Sequence, residues 1–251
     1  MSAAAIAALR GEFDRLAAEG RRIGFWWRDD DAVAPGATLD RLLGTLSNCG
    51  LPVSLAVIPS RAEPALAERL RGEDGVTVLV HGWRHANHAP PSDKKAEFGS
   101  HRPLAERAGE AGKGLAAIME AFGPRALPVF VPPWNNIASD LVPRLPVLGF
   151  RALSCFGEPR GTGQIDRIDT HLDPIDWPGT RSLLPPEALV AMMRRALARG
   201  VETFGFLTHH LVHDERLWSF CEGIAALAAD HPAIRPIGLR DMPPRAEPAR
   251  T

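Results

Sequence analysis

His81 and His85 stand four residues apart, directly after the run Val76-Thr77-Val78-Leu79-Val80. Imidazole is a common metal ligand, and two imidazoles at this spacing can grip one ion. The apolar, largely β-branched run before them reads as a buried parallel strand. It delivers His81 to the carboxyl end of that strand, where α/β folds gather functional groups. A helical curl after Gly82 would place both rings on one side of a single turn.

Acid lies elsewhere in the chain. Ile23-Gly24-Phe25-Trp26-Trp27-Arg28 runs into Asp29-Asp30-Asp31. Three adjacent carboxylates repel one another unless solvent or a cation relieves them. A solvated turn or a helix N-cap is the ordinary fate of such a run. The aromatic strand below it argues instead for a carboxylate cluster at a buried strand end. Carboxylate from one strand end and paired histidines from another suggest an Asp-His-His site of the kind that leaves a metal position open for water.

These stretches, with three more, resemble the polysaccharide deacetylases of NodB homology, carbohydrate esterase family 4. The first motif of that family, Thr-Phe-Asp-Asp-Gly, falls on Trp27 to Asp31, and the second, His-Ser/Thr-x-x-His, on His81 to His85. The fourth, Asp-x-x-Asp-Trp, is matched by Asp173-Pro174-Ile175-Asp176-Trp177, and the fifth, Leu-x-His, by Leu207-Thr208-His209. The third, Arg-x-Pro-Tyr, is half kept as Val131-Pro132-Pro133-Trp134.

The resemblance implies a distorted (β/α) barrel of about seven parallel strands and hydrolysis of an N-acyl group, acetyl above all, on an amino sugar or similar conjugate. It implies a divalent ion, zinc first, held by Asp30, His81 and His85. Asp29 would then be the base and His209 the acid that protonates the leaving nitrogen. Sliding the acidic run by one residue makes Asp30 the base and Asp31 the ligand, and His210 competes with His209. Pro133 and Trp134 would wall the site, with the Trp134 backbone N–H toward the oxyanion. Asp173 and Trp177 would line the pocket. The family's third-motif arginine pairs with the base, but Val131 stands in its place, leaving Arg28 or Arg84 as possible substitutes. Two rival readings follow: a sugar-binding protein that kept the cleft and lost the chemistry, and a metal-independent hydrolase of ureides or cyclic amides.

Length and composition set the frame. The chain has 251 residues, enough for one barrel-sized domain, and 45% of them are hydrophobic. A formal net charge of −1 implies no general attraction to nucleic acid or an anionic membrane. Cys49, Cys155 and Cys221 are odd in number, scattered and outside any Cys-x-x-Cys pair. With charged residues from Arg10 onward interrupting any apolar leader, a cytoplasmic location is expected.

Strands and helices must alternate to hold these residues. Apolar spacing predicts a first helix over 3–20, a second capped by Thr38, a third opening at Pro64 and a fourth over 104–122. Two more follow, from Pro186 to Gly200 and from Trp218 to Ala229. Strands are expected at 23–28, 53–58, 76–81, 127–131, 150–155, 167–172 and 203–208, with a last at 233–237. A short helix should separate the fourth and fifth strands. The polar stretch from His85 to about 103 reads as a rim or lid beside the site. The tail over 243–251 reads as loose.

Overall fold

A computed structural model describes residues 2–157 and 165–242, so the expected loose tail lies outside the described residues. The strands are β1 (Ile23–Ala32), β2 (Val53–Val57), β3 (Val76–His81), β4 (Ala126–Val131), β5 (Ala152–Leu153), β6 (Asp166–Arg167), β7 (Thr203–Thr208) and β8 (Ile234–Pro236). They lie in the order β6-β5-β4-β3-β2-β1-β7, every pairing parallel, with β8 beside the first residues of β1. After β6 the chain bridges back to Phe156 through Thr170 and across to Phe206 of β7 through Leu172. The sheet therefore curls into the expected distorted barrel of seven parallel strands.

Helices α1 (Ser2–Ala18), α2 (Ala37–Asn48), α3 (Pro64–Leu70), α4 (Leu104–Phe122), α5 (Pro186–Ala198) and α6 (Glu215–Asp230) pack around it. Strand alternation separates two apolar layers. Trp26, Ala56, Leu79, Val129, Val131 and Ala152 fill the barrel interior. Phe25, Trp27, Val53, Leu55, Val78, Phe204 and Phe206 face the helices. At Gly205 an added Cβ would lie 2.6 Å from Trp26 Nε1 and 2.7 Å from the carbonyl of Asp169. Only glycine lets the closing segment and the interior tryptophan meet there.

Three elements differ from expectation. Gly36, not Thr38, precedes α2, and no side chain caps it. Between β4 and β5 there are two short 3-10 turns, Pro133–Asn135 and Val142–Arg144, where a helix was expected. Pro143 and Pro146 remove the donors that a longer helix would need. β5 and β6 are two residues each, because the chain leaves the ladder at Ser154 and exchanges partners after Arg167.

Candidate active site

The site is set by the two faces of β1. Trp26 and Arg28 point into the barrel, whereas Phe25, Trp27 and Asp29 point toward the helices. Asp30 follows the inner face. The ladder then slips: Asp30 pairs with Ala56 but Ala32 pairs with Val57, and Asp31 is the extra residue at φ 74°. Such a bulge re-aims one side chain without breaking the strand's run. It turns Asp31 to the side Asp30 already faces, so two adjacent carboxylates share the mouth of the barrel.

There Asp31 meets the histidines. His81 Nε2 is 3.1 Å and His85 Nε2 3.2 Å from Asp31 Oδ1. The Nδ1–H of His81 donates to the carbonyl of Val131 at 3.0 Å, which aims its other nitrogen at the carboxylate. Among the described residues these three form the group whose donor atoms lie within 4.8 Å of one another. The chain does not curl helically from His81 to His85. Gly82 at φ 60° and His85 at φ 57° reverse it through the left-handed region. Burial disfavours a charge on His81, yet Asp30 and Asp31 outweigh it and raise its pKa; His85 is lowered, by burial and then by His81. Burial likewise works against the Asp31 carboxylate, but its hydrogen bond and charge pairing with His81 hold it below the usual range. One carboxylate oxygen and two imidazole nitrogens, one oriented by a backbone carbonyl, suit a divalent cation.

Asp30 does not join that group. It is 2% exposed, with Oδ2 accepting from Arg28 Nη2 at 3.0 Å and Oδ1 2.8 Å from Arg28 Nε. Arg28, 0% exposed, also donates to Ser154 Oγ at 2.7 Å and to Asn135 Oδ1 at 2.8 Å. Its guanidinium is thereby fixed on three sides. Across the mouth, His209 holds Nε2 4.0 Å from Asp30 Oδ2. His209 Nδ1 is buried without a hydrogen-bond partner.

Asp29 is a correction. It is 0% exposed and faces away from the mouth. It accepts from Thr208 Oγ1 at 2.7 Å, from the His210 backbone N–H at 3.0 Å and from His210 Nδ1–H. Trp27 Nε1 donates to the same threonine oxygen at 2.8 Å. Burial would raise the Asp29 pKa, but His210 and Thr208 bring it down; Asp29 in turn raises that of His210 against burial. This buried pair clamps the end of β7 to β1. The acidic run is therefore displaced by one residue from the expected roles: Asp31, not Asp30, lies with the histidines, and Asp30, not Asp29, stands beside them. Between the two candidate acids, His209 faces the mouth and His210 faces the clamp.

The remaining expected residues line the mouth. Trp134, at φ 56° in the turn Pro133–Asn135, lies with its ring 4.3 Å from that of His85, and Pro133 is buried beneath. Trp177 meets His209 edge-on at 4.8 Å and donates its indole N–H to Asp173 Oδ2 at 2.8 Å. Burial raises the Asp173 pKa despite the opposing charge of His209. Ser154 and Asn135 carried no sequence signal, because each matters only as an acceptor for Arg28. Among the described residues Arg84 forms no ion pair with either carboxylate; its backbone N–H donates to Glu97.

No family model matches the sequence, and no curated protein matches it. Solved structures do. A candidate polysaccharide deacetylase from Mycobacterium smegmatis superposes with a TM-score of 0.62 at 16% identity over 88% of each chain. A Streptococcus mutans CE4 esterase gives 0.59 at 12% identity, over 89% of this chain and 90% of that one. A family 4 carbohydrate esterase from Streptomyces lividans, in complex with acetate, gives 0.54 at 18% identity, over 85% and 90%. The chain has the fold of carbohydrate esterase family 4.

Proposed function

We propose that this chain, with the fold of the family 4 carbohydrate esterases, is a metal-dependent hydrolase that removes an N-acyl group, acetyl first, from an amino sugar or related conjugate. One observation carries the reading: Asp31, His81 and His85 converge at one end of the barrel, with the buried carboxylate of Asp30 and the imidazole of His209 beside them. A fold alone would not suffice, since a Bacillus anthracis protein of similar fold (TM-score 0.55, 15% identity) is described as a CE4 family pseudoenzyme.

Asp31, His81 and His85 would hold the cation, with zinc the first candidate for a nitrogen and oxygen donor set. A divalent ion bound there would lower the pKa of its water toward neutrality and polarise the acyl oxygen. Asp30 takes the proton released by the attacking water. Arg28 fixes that carboxylate's orientation and balances its charge. His209 delivers a proton to the departing amine nitrogen. Trp134 and Trp177 flank the mouth as flat apolar walls, suited to the faces of a sugar ring.

Arg28 answers the rival reading of a cleft that lost its chemistry, whose support was the missing arginine at Val131. The buried, convergent Asp31-His81-His85 group speaks against the metal-independent alternative. We place the protein in the cytoplasm on its three free, scattered cysteines; fractionation that finds it outside the cell would refute this. The function is tested by metal analysis with hydrolysis of N-acetylglucosamine oligomers. Release of acetate that depends on a bound divalent ion is expected; a metal-free protein inert after zinc addition would overturn the reading.

A further inference from the structure

The turn that carries His85 is held by a residue outside every motif. Glu97 is 1% exposed. Its Oε1 accepts from the Arg84 backbone N–H at 2.7 Å, and its Oε2 from that of Trp83 at 3.2 Å. Those amides follow Gly82 in its left-handed conformation, φ 60°. Successive N–H groups after such a residue form a concave nest for an anion. Here the anion is a side chain of the same protein. A Cβ at Gly82 would lie 2.4 Å from Glu97 Oε2 and 2.6 Å from Pro133 Cδ, so the carboxylate fills the nest to contact.

The backbone that carries the carboxylate is itself anchored. Arg102 Nη2 donates to the Glu97 carbonyl at 3.0 Å. The adjoining Phe98 is buried, with its ring 5.0 Å from Phe130, and its carbonyl accepts from Ala138 at 2.9 Å. Glu97 thus ties the His81–His85 turn to the core and to the segment after β4. Without it, two partly buried amides lose their acceptor, and the turn between the two histidines loses its fixed shape.

We propose that Glu97 is a positioning residue that presets His85 against His81 and Asp31 before any cation arrives. The proposal rests on the metal-site reading above. Residues that orient metal ligands without touching the metal typically change affinity by about 10–100-fold when removed. Glu97→Ala should weaken Co2+ and Zn2+ binding by about that factor in calorimetric titration, and shift the visible absorption of the Co2+ protein. Glu97→Gln, which keeps one acceptor oxygen, should fall between. Gly82→Ala, which displaces the same carboxylate from the other side, should resemble Glu97→Ala. If Glu97→Ala does not fold, Glu97→Gln carries the test. A folded variant of reduced thermal stability that binds Co2+ with wild-type affinity and spectrum would reduce Glu97 to a structural prop and overturn the proposal. If the wild-type protein binds neither ion, the metal-site reading falls and takes this one with it. Wild-type binding with unaltered variants sinks this proposal alone.

Discussion

Asp29, Asp30 and Asp31 share a side chain and differ only in what surrounds it, so substitutions should separate them. Asp31→Asn should weaken metal binding and abolish turnover together. Asp30→Asn should keep the metal and lose about 10²–10⁴-fold in kcat, the usual worth of a positioned base. Asp29→Ala should leave metal affinity near wild type but cost about 3–5 kcal/mol of stability, because it strands the buried His210. Metal titration beside denaturant melts of the three variants distinguishes these outcomes, and metal loss in Asp30→Asn with retention in Asp31→Asn would restore the rejected register. Arg28→Lys should keep the metal and lose turnover. A single ammonium cannot fork to Asp30, Ser154 and Asn135 at once. A wild-type kcat in that variant would remove Arg28 from the mechanism. The histidine pair was legible from spacing alone. The register of the acids was not, because a bulge adds one residue to a strand and leaves no mark in composition. Arg28 was visible only as a possibility, since its contacts come from β1, from the residue after β5 and from the turn after β4.

Most elements were legible to within a few residues, since long apolar runs and helical spacing name them. The closing segment was not. A sixth strand expected over 167–172 became a two-residue strand followed by residues that pair with both flanks. The partner exchange depends on Gly205 lying opposite, which only the fold reveals. His171 sits at this seam: its N–H donates to the Gly205 carbonyl at 2.7 Å, and its Nδ1 accepts from the Gly205 N–H at 2.9 Å. Its ring stacks on Phe204, and burial presses its pKa to about 4. The neutral form is the one that fits. A histidine with a depressed folded pKa contributes its full stability above the unfolded value of about 6.5 and loses it as pH falls toward the folded one. The barrel closure should therefore weaken between pH 6.5 and about 4, by up to ~3 kcal/mol. His171→Gln, which keeps an acceptor and cannot be protonated, should flatten that part of the stability profile. Equal pH dependence in variant and wild type would place the acid sensitivity elsewhere. The rim expected after His85 is fastened rather than free-standing: Asn87 Oδ1 accepts from Ala89 and Ala96, and Asn136 Nδ2 donates to the carbonyl of Lys95.

At the scale of the whole molecule the proposed cation links two strand ends, β1 and β3, that are otherwise joined through β2. An ion that binds only the folded chain stabilises it by mass action, about 2.7 kcal/mol at a hundredfold excess over Kd. For a protein of 251 residues that corresponds to a rise in Tm of roughly 5–10 °C. Thermal scans with and without zinc should show this shift in the wild type and lose it in His81→Ala. A zinc-independent Tm would argue that the three ligands are not a binding site. The architecture also explains why the convergence of these residues was readable from the sequence: parallel strands gather their carboxyl ends at one rim, so motifs at strand ends must meet.

The placement of Arg28 has a further consequence for descent. The base candidate and its counter-charge lie two residues apart on one strand, so they are inherited as one short peptide. No matched change at a distant position is needed to keep them paired. A chain that lacks the arginine after β4 is then not marked as a relic by that loss alone. Tryptophan, arginine, any residue, then two aspartates becomes a pattern to seek in other chains of this fold. Where it occurs, an arginine on β1 would stand in for the one that the third motif of the deacetylases carries.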